Sequence, residues 1–354
     1  MPTLFNQQFS IDELKRMTGC MDQVAGIRLF EYSDGKMRSM RAADVWTGSG
    51  FRFTVFLDRG MDIGPAEFGG MPLAWIHPAQ ATPSFYEPVG GGFVHTFGGG
   101  LVVTCGLTHF GPAEQEENEF FPQHGRISHI PAEQVAIRRA WEGDAYRLEI
   151  EGQVHQAVLF GENLLLSRRI TTYLGATSLQ ISDRVINMGF RPTPHMLLYH
   201  CNFGFPVVSP TSELIVDDES VQPRDELARP GLADLYHFGQ PDPAFREQVF
   251  FHQPKPDANG FVKATLINHS MDFGAYIHYR AAELPVLTQW KMTGAGEYLC
   301  GLEPATNAES PRAELRKQQL MKMLAPGEEV FYSVEIGITG GGKNPSLDRS
   351  VIKD

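Results

Sequence analysis

Three short segments place a titratable side chain beside glycine or proline: Phe121-Pro122-Gln123-His124-Gly125-Arg126, Leu197-Leu198-Tyr199-His200-Cys201-Asn202-Phe203-Gly204, and Cys300-Gly301-Leu302-Glu303-Pro304-Ala305-Thr306-Asn307. Side chains alternate between the faces of a strand, so His200 and Asn202 share one face, next to Gly204, whose missing side chain lets a ligand approach the backbone. Glu303 follows an apolar run and precedes Pro304, which sets a carboxylate at the end of a strand rather than on a solvated helix face. Partial burial there raises a carboxylate pKa toward the value a general base needs. Such a carboxylate and an imidazole near neutrality can exchange protons in either direction at pH 7. Core histidines and strand-terminal glutamates with purely structural roles are common, so the three segments carry weight together rather than singly.

Metal chemistry is the competing reading, because the chain has 12 histidines. The spacings argue against it: His124 and His129, like His195 and His200, are separated by an odd number of positions, which puts them on opposite faces of a strand. No metal and no cofactor are expected. Cys20, Cys105, Cys201 and Cys300 are scattered without a C-x-x-C pair, the pattern of reduced thiols in a cytosolic protein. Gly90-Gly91-Gly92 and Gly98-Gly99-Gly100 lack the lysine and serine of a phosphate loop and read as tight turns. A G-x-S-x-G elbow is missing as well. Phe51, Phe121, Trp141, Phe203, Phe205 and Trp290 are expected mainly in the core, but Phe203, Phe205 and Trp290 neighbour the polar candidates and could stack on the apolar face of a sugar-like ring.

The elements that must position these residues read as strands. Glycine (36) and proline (24) fall between short alternating apolar segments, the punctuation of turns in an all-β protein. Phe51, Phe53, Val55 and Leu57 share one face of a half-buried strand. Val135–Trp141, Tyr146–Val154, Leu164–Tyr173 and Leu179–Asn187 follow one another at hairpin spacing, an antiparallel meander. In the last of them Leu179, Ile181, Asp183 and Val185 share one face and Gln180, Ser182, Arg184 and Ile186 the other, so neither face is purely apolar and one could line a polar cavity. Phe261–Asn268, Ala275–Arg280, Tyr298–Glu303 and Val330–Ile338 continue the sheet. Two short helices are expected, one opened by the capping box Ser10-Ile11-Asp12-Glu13 and one over Ala313–Met323. Asp217–His252, rich in proline, is the least strand-like stretch and reads as a long excursion of the kind that often carries function.

Composition bounds the answer further. With 42% hydrophobic and 20% charged residues the chain can bury a large core. A net charge of −12 argues against binding a phosphate backbone. A basic and apolar leader and a run long enough to cross a bilayer are both lacking, so a cytoplasmic protein without membrane contact is expected. Composition does not shift along the chain and no repeat is evident, which suggests one domain over residues 1–354.

Taken in order, the motifs resemble those of the aldose 1-epimerase (galactose mutarotase-like) superfamily, and most closely its bacterial epimerase-like branch of largely unassigned substrate. The resemblance covers nearly the whole chain. It rests on Leu57-Asp58-Arg59-Gly60-Met61-Asp62-Ile63, Thr104-Cys105-Gly106-Leu107-Thr108-His109, His124-Gly125-Arg126, Asp183-Arg184-Val185-Ile186-Asn187-Met188-Gly189, the His200 segment, Gln289-Trp290-Lys291 and Gly301-Leu302-Glu303-Pro304. It implies an all-β supersandwich of large twisted antiparallel sheets with few short helices and a concave sugar site. It also implies an isomerase that opens and recloses a pyranose ring without cofactor or metal. By position, Glu303 is implied as general base and His200 as general acid, with His124 holding the ring-oxygen side or a hydroxyl. Arg59, His109, Arg126, Asn202 and Lys291 are implied as substrate-gripping residues.

The sequence departs from the galactose-specific pattern in two places. Arg126 stands where a second glycine is usual, and Asn202-Phe203-Gly204 replaces a serine-tyrosine-phenylalanine run. An arginine and a lysine near the site are compatible with an anionic sugar such as a uronate or a sulfo- or phosphosugar. Two other readings stay open: a sugar isomerase or epimerase working through an enediol, with or without a divalent metal, and a carbohydrate-binding or sensing protein without turnover. The sugar's identity and any homo-oligomer are not encoded in a recognisable pattern.

Overall fold

The computed structural model describes residues 2–5, 7–82, 91–116 and 119–340; Gly90 of the first glycine triplet lies outside them. Two antiparallel sheets dominate. The larger runs, in spatial order, through Asp218–Pro223, Gln248–Pro254, Val286–Gly294, Glu297–Ala305, Thr193–Gly204, Val102–Leu107, Asp62–Phe68, Phe51–Phe56, Arg41–Trp46 and Gly26–Glu31. Two short strands flank this path, Met71–Pro72 and Lys322–Leu324. The second sheet runs through Glu133–Glu142, Ala145–Ala157, Asn163–Tyr173, Ser178–Asn187, Glu329–Gly340, Phe273–Arg280, Phe261–Asn268 and Ser212–Ile215. This is the all-β supersandwich implied by the motifs.

Period-two patterning explains the packing. Phe51, Phe53 and Val55 are fully buried in the core between the sheets, as are Leu148, Ile150, Leu164, Leu166, Leu179, Ile181, Val334 and Ile336 from the second sheet. Within the Thr193–Gly204 strand the pattern changes, because almost every residue is buried. Leu197, Tyr199, Cys201 and Phe203 face the inter-sheet core. Met196 and Leu198 belong to a separate apolar cluster with Phe110, Leu315 and Met321, on the face that also carries His200 and Asn202. Loops covering this second face turn the middle of the larger sheet into a site with walls.

Several expectations need correction. The second helix spans only Arg312–Lys317; Gln319 takes a φ of +58°, and Lys322–Leu324 instead pairs with Thr193–His195. The ladder available on that strand outweighs the helix propensity of the segment. The stretch 217–252 begins and ends in two paired strands of the larger sheet, so the excursion is the segment between them, with a 3-10 turn at Arg229–Ala233. Glu303 does not end its strand: the ladder continues to Ala305 through Pro304, opposite Leu287. The first helix, Ile11–Met17, carries the expected capping box, Ser10 N–H donating to Glu13 Oε2 at 2.7 Å. No helix of the described residues is long and apolar enough to cross a membrane.

Candidate active site

The site is built on two adjacent central strands. Cys201 pairs with Leu302 and Leu198 with Ala305, a register that sets His200 directly across from Glu303. His200 Nε2 stands 3.2 Å from Glu303 Oε1, and both side chains are about 5% exposed. Directly opposed residues on one face of a pleated sheet are its closest side-chain neighbours, so the contact follows from register alone. The contact is not a well-formed hydrogen bond: Glu303 Oε1 and His200 Nδ1 are buried without a partner. Burial raises Glu303 well above the usual carboxylate range, and the charges of Glu309 and Glu247 raise it further against the opposing pull of Arg224. Burial lowers His200 to about 4, partly offset by Asn202. Burial thus favours the neutral form of each partner, a protonated carboxyl and an unprotonated imidazole.

Gly301, two residues before Glu303 on the same face, is required by this geometry. A Cβ there would lie 2.6 Å from Glu303 Oε1 and 3.1 Å from Trp290 Cβ, so any side chain must displace the carboxylate or the indole. Gly301→Ala is expected to lower turnover by about tenfold or more while leaving thermal stability close to that of the parent, since misplacing a reacting group by a fraction of an ångström is costly. Steady-state kinetics beside a melting curve check this; unchanged turnover would mean that the carboxylate has room to move.

His124 arrives from a loop. It adopts φ +59°, and Gly125 follows at φ +77°. A Cβ at Gly125 would lie 2.2 Å from Gly106 O and 2.3 Å from His109 O, so only glycine lets this loop dock on the Val102–Leu107 strand. Gly106 N–H donates to His124 O, and Arg126 N–H to Gly106 O. The docking brings the His124 ring to 5.7 Å from the His200 ring, edge on, with Phe93 packed at 4.9 Å. His124 is held well below the ordinary imidazole range by burial and by its His200 and His109 neighbours.

A cavity of about 900 Å³ is lined by Trp75, Phe97, Arg224, Phe245, Glu247 and Trp290, among others. Phe97 and Trp290 each stand 5.3 Å from the His200 ring, and Trp75 meets Trp290 edge on at 6.2 Å. Trp290 Nε1 donates to Glu247 Oε2 at 2.9 Å, and Arg224 donates to Glu247 at 3.1 Å and to Asp225 at 3.1 Å. Trp75 is held by the second glycine triplet. Gly100 N–H donates to Trp75 O, and Gly99 sits so close that a Cβ would meet Trp75 O at 2.3 Å.

The remaining sequence candidates divide. Asn202 is fixed by Nδ2 bonds to Gly100 O and His200 O, leaving Oδ1 buried without a partner on the His200 face. His109, lowered to about 4 by burial, spends Nε2 on Pro112 O and leaves Nδ1 unpartnered. Arg59 is buried beside Asp62 and His129, lowered to about 10 by desolvation, with Nη1 unpartnered. Arg126 donates to Phe120 O and Glu119 and lies 3.8 Å from Glu162. Lys291 points to the opposite face of its strand from Trp290, donating to Asp234 O at 2.9 Å. Phe203 is buried in the inter-sheet core, and Phe205 lies largely exposed.

Sequence reasoning missed Trp75, Arg224 and Glu247. Trp75 lies outside any regular strand, between the isolated bridges of its neighbours Ala74 and Ile76. Arg224 and Glu247 fall in the proline-rich stretch whose length was their one signal. Among the described residues no group of three or more His, Cys, Asp or Glu could hold a metal ion.

Comparison with known proteins agrees with this architecture. No curated protein sequence matches the chain at a significant level. A structure from Klebsiella pneumoniae, provisionally named an aldose 1-epimerase, superposes with a TM-score of 0.84 at 25% identity, covering 90% of this chain and 86% of that one. A galactose mutarotase-like protein from Clostridium acetobutylicum gives 0.63 at 14% identity, over 90% and 99% of the two chains. Galactose 1-epimerase from Lactobacillus acidophilus gives 0.58 at 13%, over 89% and 99%. Residues 37–338, which include His124, His200 and Glu303, match a family described as a domain of unknown function, DUF4432. The chain is thus a member of the DUF4432 family, built on the galactose mutarotase-like fold and similar to the aldose 1-epimerase superfamily.

Proposed function

We propose that the protein is an aldose 1-epimerase-like isomerase that interconverts the anomers of a sugar by acid–base ring opening. The observation that supports this reading most is the His200–Glu303 pair: two groups 3.2 Å apart, without a well-formed bond to each other, with His200 against the rings of Phe97 and Trp290, which also line the cavity. Transfer of the single proton from Glu303 to His200 Nε2 gives a carboxylate beside an imidazolium. The carboxylate takes the anomeric hydroxyl proton while the imidazolium protonates the ring oxygen, the C1–ring-oxygen bond breaks and the aldehyde forms. Rotation about C1–C2 and the reverse transfers close the other anomer, and the pair ends with one proton as it began. Neutral His124 and the unpartnered Asn202 Oδ1 and His109 Nδ1 are placed to hold hydroxyls, Arg59 adds a buried donor, and the partnered Arg126 and Lys291 support the surrounding frame. Trp75 and Trp290 supply flat apolar faces for the ring.

The sugar is found by following anomer equilibration, by polarimetry or NMR, over a panel of freshly dissolved neutral, amino and acidic aldoses with and without chelator. Chelator-resistant acceleration for one class is the expected result; a new product in place of anomers contradicts the reading. The pH profile adds a second expectation. A second proton loads the pair as pH falls through about 4, the value to which burial lowers His200, so turnover falls on the acid side there. Turnover is lost again only as pH rises through the raised Glu303 value. Both limits belong to the pair rather than to either residue. A kcat/KM profile with an acid limb near 6.5, as for an unperturbed imidazole, would contradict this proton count.

A further inference from the structure

Glu303 has a cross-strand neighbour on each side. His200 stands across from it on the Thr193–Gly204 strand, and Thr288 pairs with it directly on the Val286–Gly294 strand. Directly opposed residues point to the same face, with Cβ atoms about 4.5–5.5 Å apart, so rotation of either side chain brings a threonine hydroxyl and a glutamate carboxyl together. Thr288 is 2% exposed, and its Oγ1 is buried without a hydrogen-bond partner among the described residues.

Its nearest same-face neighbours offer one acceptor. Along its own strand these are Val286 and Trp290, whose indole N–H is a donor already given to Glu247, and on the side away from Glu303 it faces Phe251. Glu303 alone among them carries a side-chain oxygen, and Glu303 Oε1 is itself buried without a partner. Donor and acceptor thus stand on adjacent strands, both unbonded. The carboxyl leans along its own strand over Gly301, where a Cβ would meet Oε1 at 2.6 Å. Threonine suits a strand through its β-branch, but valine has the same branch and no hydroxyl to strand in the interior. For folding alone this hydroxyl is a cost.

Resting on the ring-opening reading above, we propose that Thr288 is a positioning residue for Glu303, its hydroxyl donating to the carboxylate that forms when the carboxyl proton leaves and so orienting the oxygen that takes the anomeric proton. The Thr288 proton stays on Oγ1 throughout. A neutral carboxyl needs no such donor and a carboxylate does, so the bond is made as charge develops and acts on turnover rather than on sugar binding. The other groups that act on Glu303 are His200 beside it, the charges of Glu309 and Glu247, and Arg224 opposing them, and the buried thiols of Cys105, Cys201 and Cys300 feel its charge in turn. A substitution of Thr288 changes none of these charges.

The test compares Thr288→Val, which replaces the hydroxyl by a methyl group, with Thr288→Ser, which keeps it. Three readings are taken on each: the melting temperature; kcat and KM for anomer exchange of glucose, galactose, mannose, glucosamine and glucuronate; and the titration of the Glu303 carboxyl by 13C NMR of glutamate-labelled protein, assigned with Glu303→Gln. Thr288→Val is expected to melt no lower than the parent, to lose about tenfold in kcat with KM within about twofold, and to titrate Glu303 about one pH unit higher, the size of one hydrogen bond to a charged group. Thr288→Ser is expected to keep most of the parental kcat and the parental titration. Parental kcat and titration in Thr288→Val overturn the assignment, and so does a Thr288→Ser protein that loses as much turnover as Thr288→Val. A lower melting temperature in Thr288→Val with kcat and titration kept makes the hydroxyl a fold contact, which also overturns it. A titration raised in Thr288→Val and restored in Thr288→Ser, in a protein that accelerates exchange of none of these sugars, overturns the ring-opening reading and leaves the Thr288–Glu303 bond standing.

Discussion

Glu303→Gln is expected to lower enzyme-catalysed anomer exchange by about a thousandfold, within the range general acid–base groups contribute, while leaving sugar binding and folding in place. Glutamine keeps the volume of the side chain and its place over Gly301, but it cannot take the anomeric proton. The amide also removes a raised carboxyl from a buried position, so the fold is not weakened by the change. His200→Asn should produce a loss of the same order, and the double variant should be scarcely worse than either single one, because two groups that share one proton act as a unit. Exchange rates at saturating sugar, with binding measured separately, decide the matter. A Glu303→Gln enzyme within tenfold of the parent would remove Glu303 from the proton path.

The second large effect concerns stability. Arg168, fully buried between the sheets, donates to both Asp183 oxygens at 2.9 and 2.7 Å and to Thr104 Oγ1 at 2.8 Å, and lies 3.6 Å from Asp62. Tyr199 O–H donates to the same Asp183 at 2.6 Å, and Thr104 donates to Asp62 through both N and Oγ1. Tyr199 precedes His200 and Thr104 follows Val103, the residue paired with His200, so this network clamps the backs of two strands that meet at the site. Arg168→Met should destabilise by about 3–5 kcal/mol, the cost of breaking a buried ion pair on one side only. Two buried carboxylates lose their cation, and Asp62, already raised to about 6 by burial with Arg168 opposing the shift, is driven toward its neutral form. Combining it with Asp183→Leu should recover part of the loss, because the stranded charge goes with its partner. Urea unfolding of the parent and both variants tests this. A single variant within about 1 kcal/mol of the parent, the size of an exposed pair, would mean that the network does not hold the sheets together.

The sequence was legible where local rules apply. Hairpin spacing and period-two patterning located the meander of the second sheet, and the capping box located the first helix, because those signals lie within a few residues of one another. The neighbouring placement of His200 and Asn202 followed from parity along one strand. Their meeting with Glu303 and His124 depends on cross-strand register and on a loop turned by Gly125, neither of which any one segment encodes. Asp183 illustrates the gap: its odd place on an apolar face reads as a polar cavity, and Arg168 from the next strand fills that polar need inside the core. Trp75 has no periodicity around it, since loops take their shape from what they pack against. Lys291 shows the reverse, a basic residue next to a site tryptophan in sequence but on the other side of the sheet.

The most direct test of the ring-opening account is two-dimensional exchange NMR of a sugar that binds, run in D2O with catalytic protein. Proton transfer between oxygens leaves every carbon–hydrogen bond intact. The account therefore predicts strong cross-peaks between the α and β anomeric protons with no loss of the C2 proton signal. Deuterium entering at C2, or cross-peaks no stronger than in protein-free sugar, would contradict it.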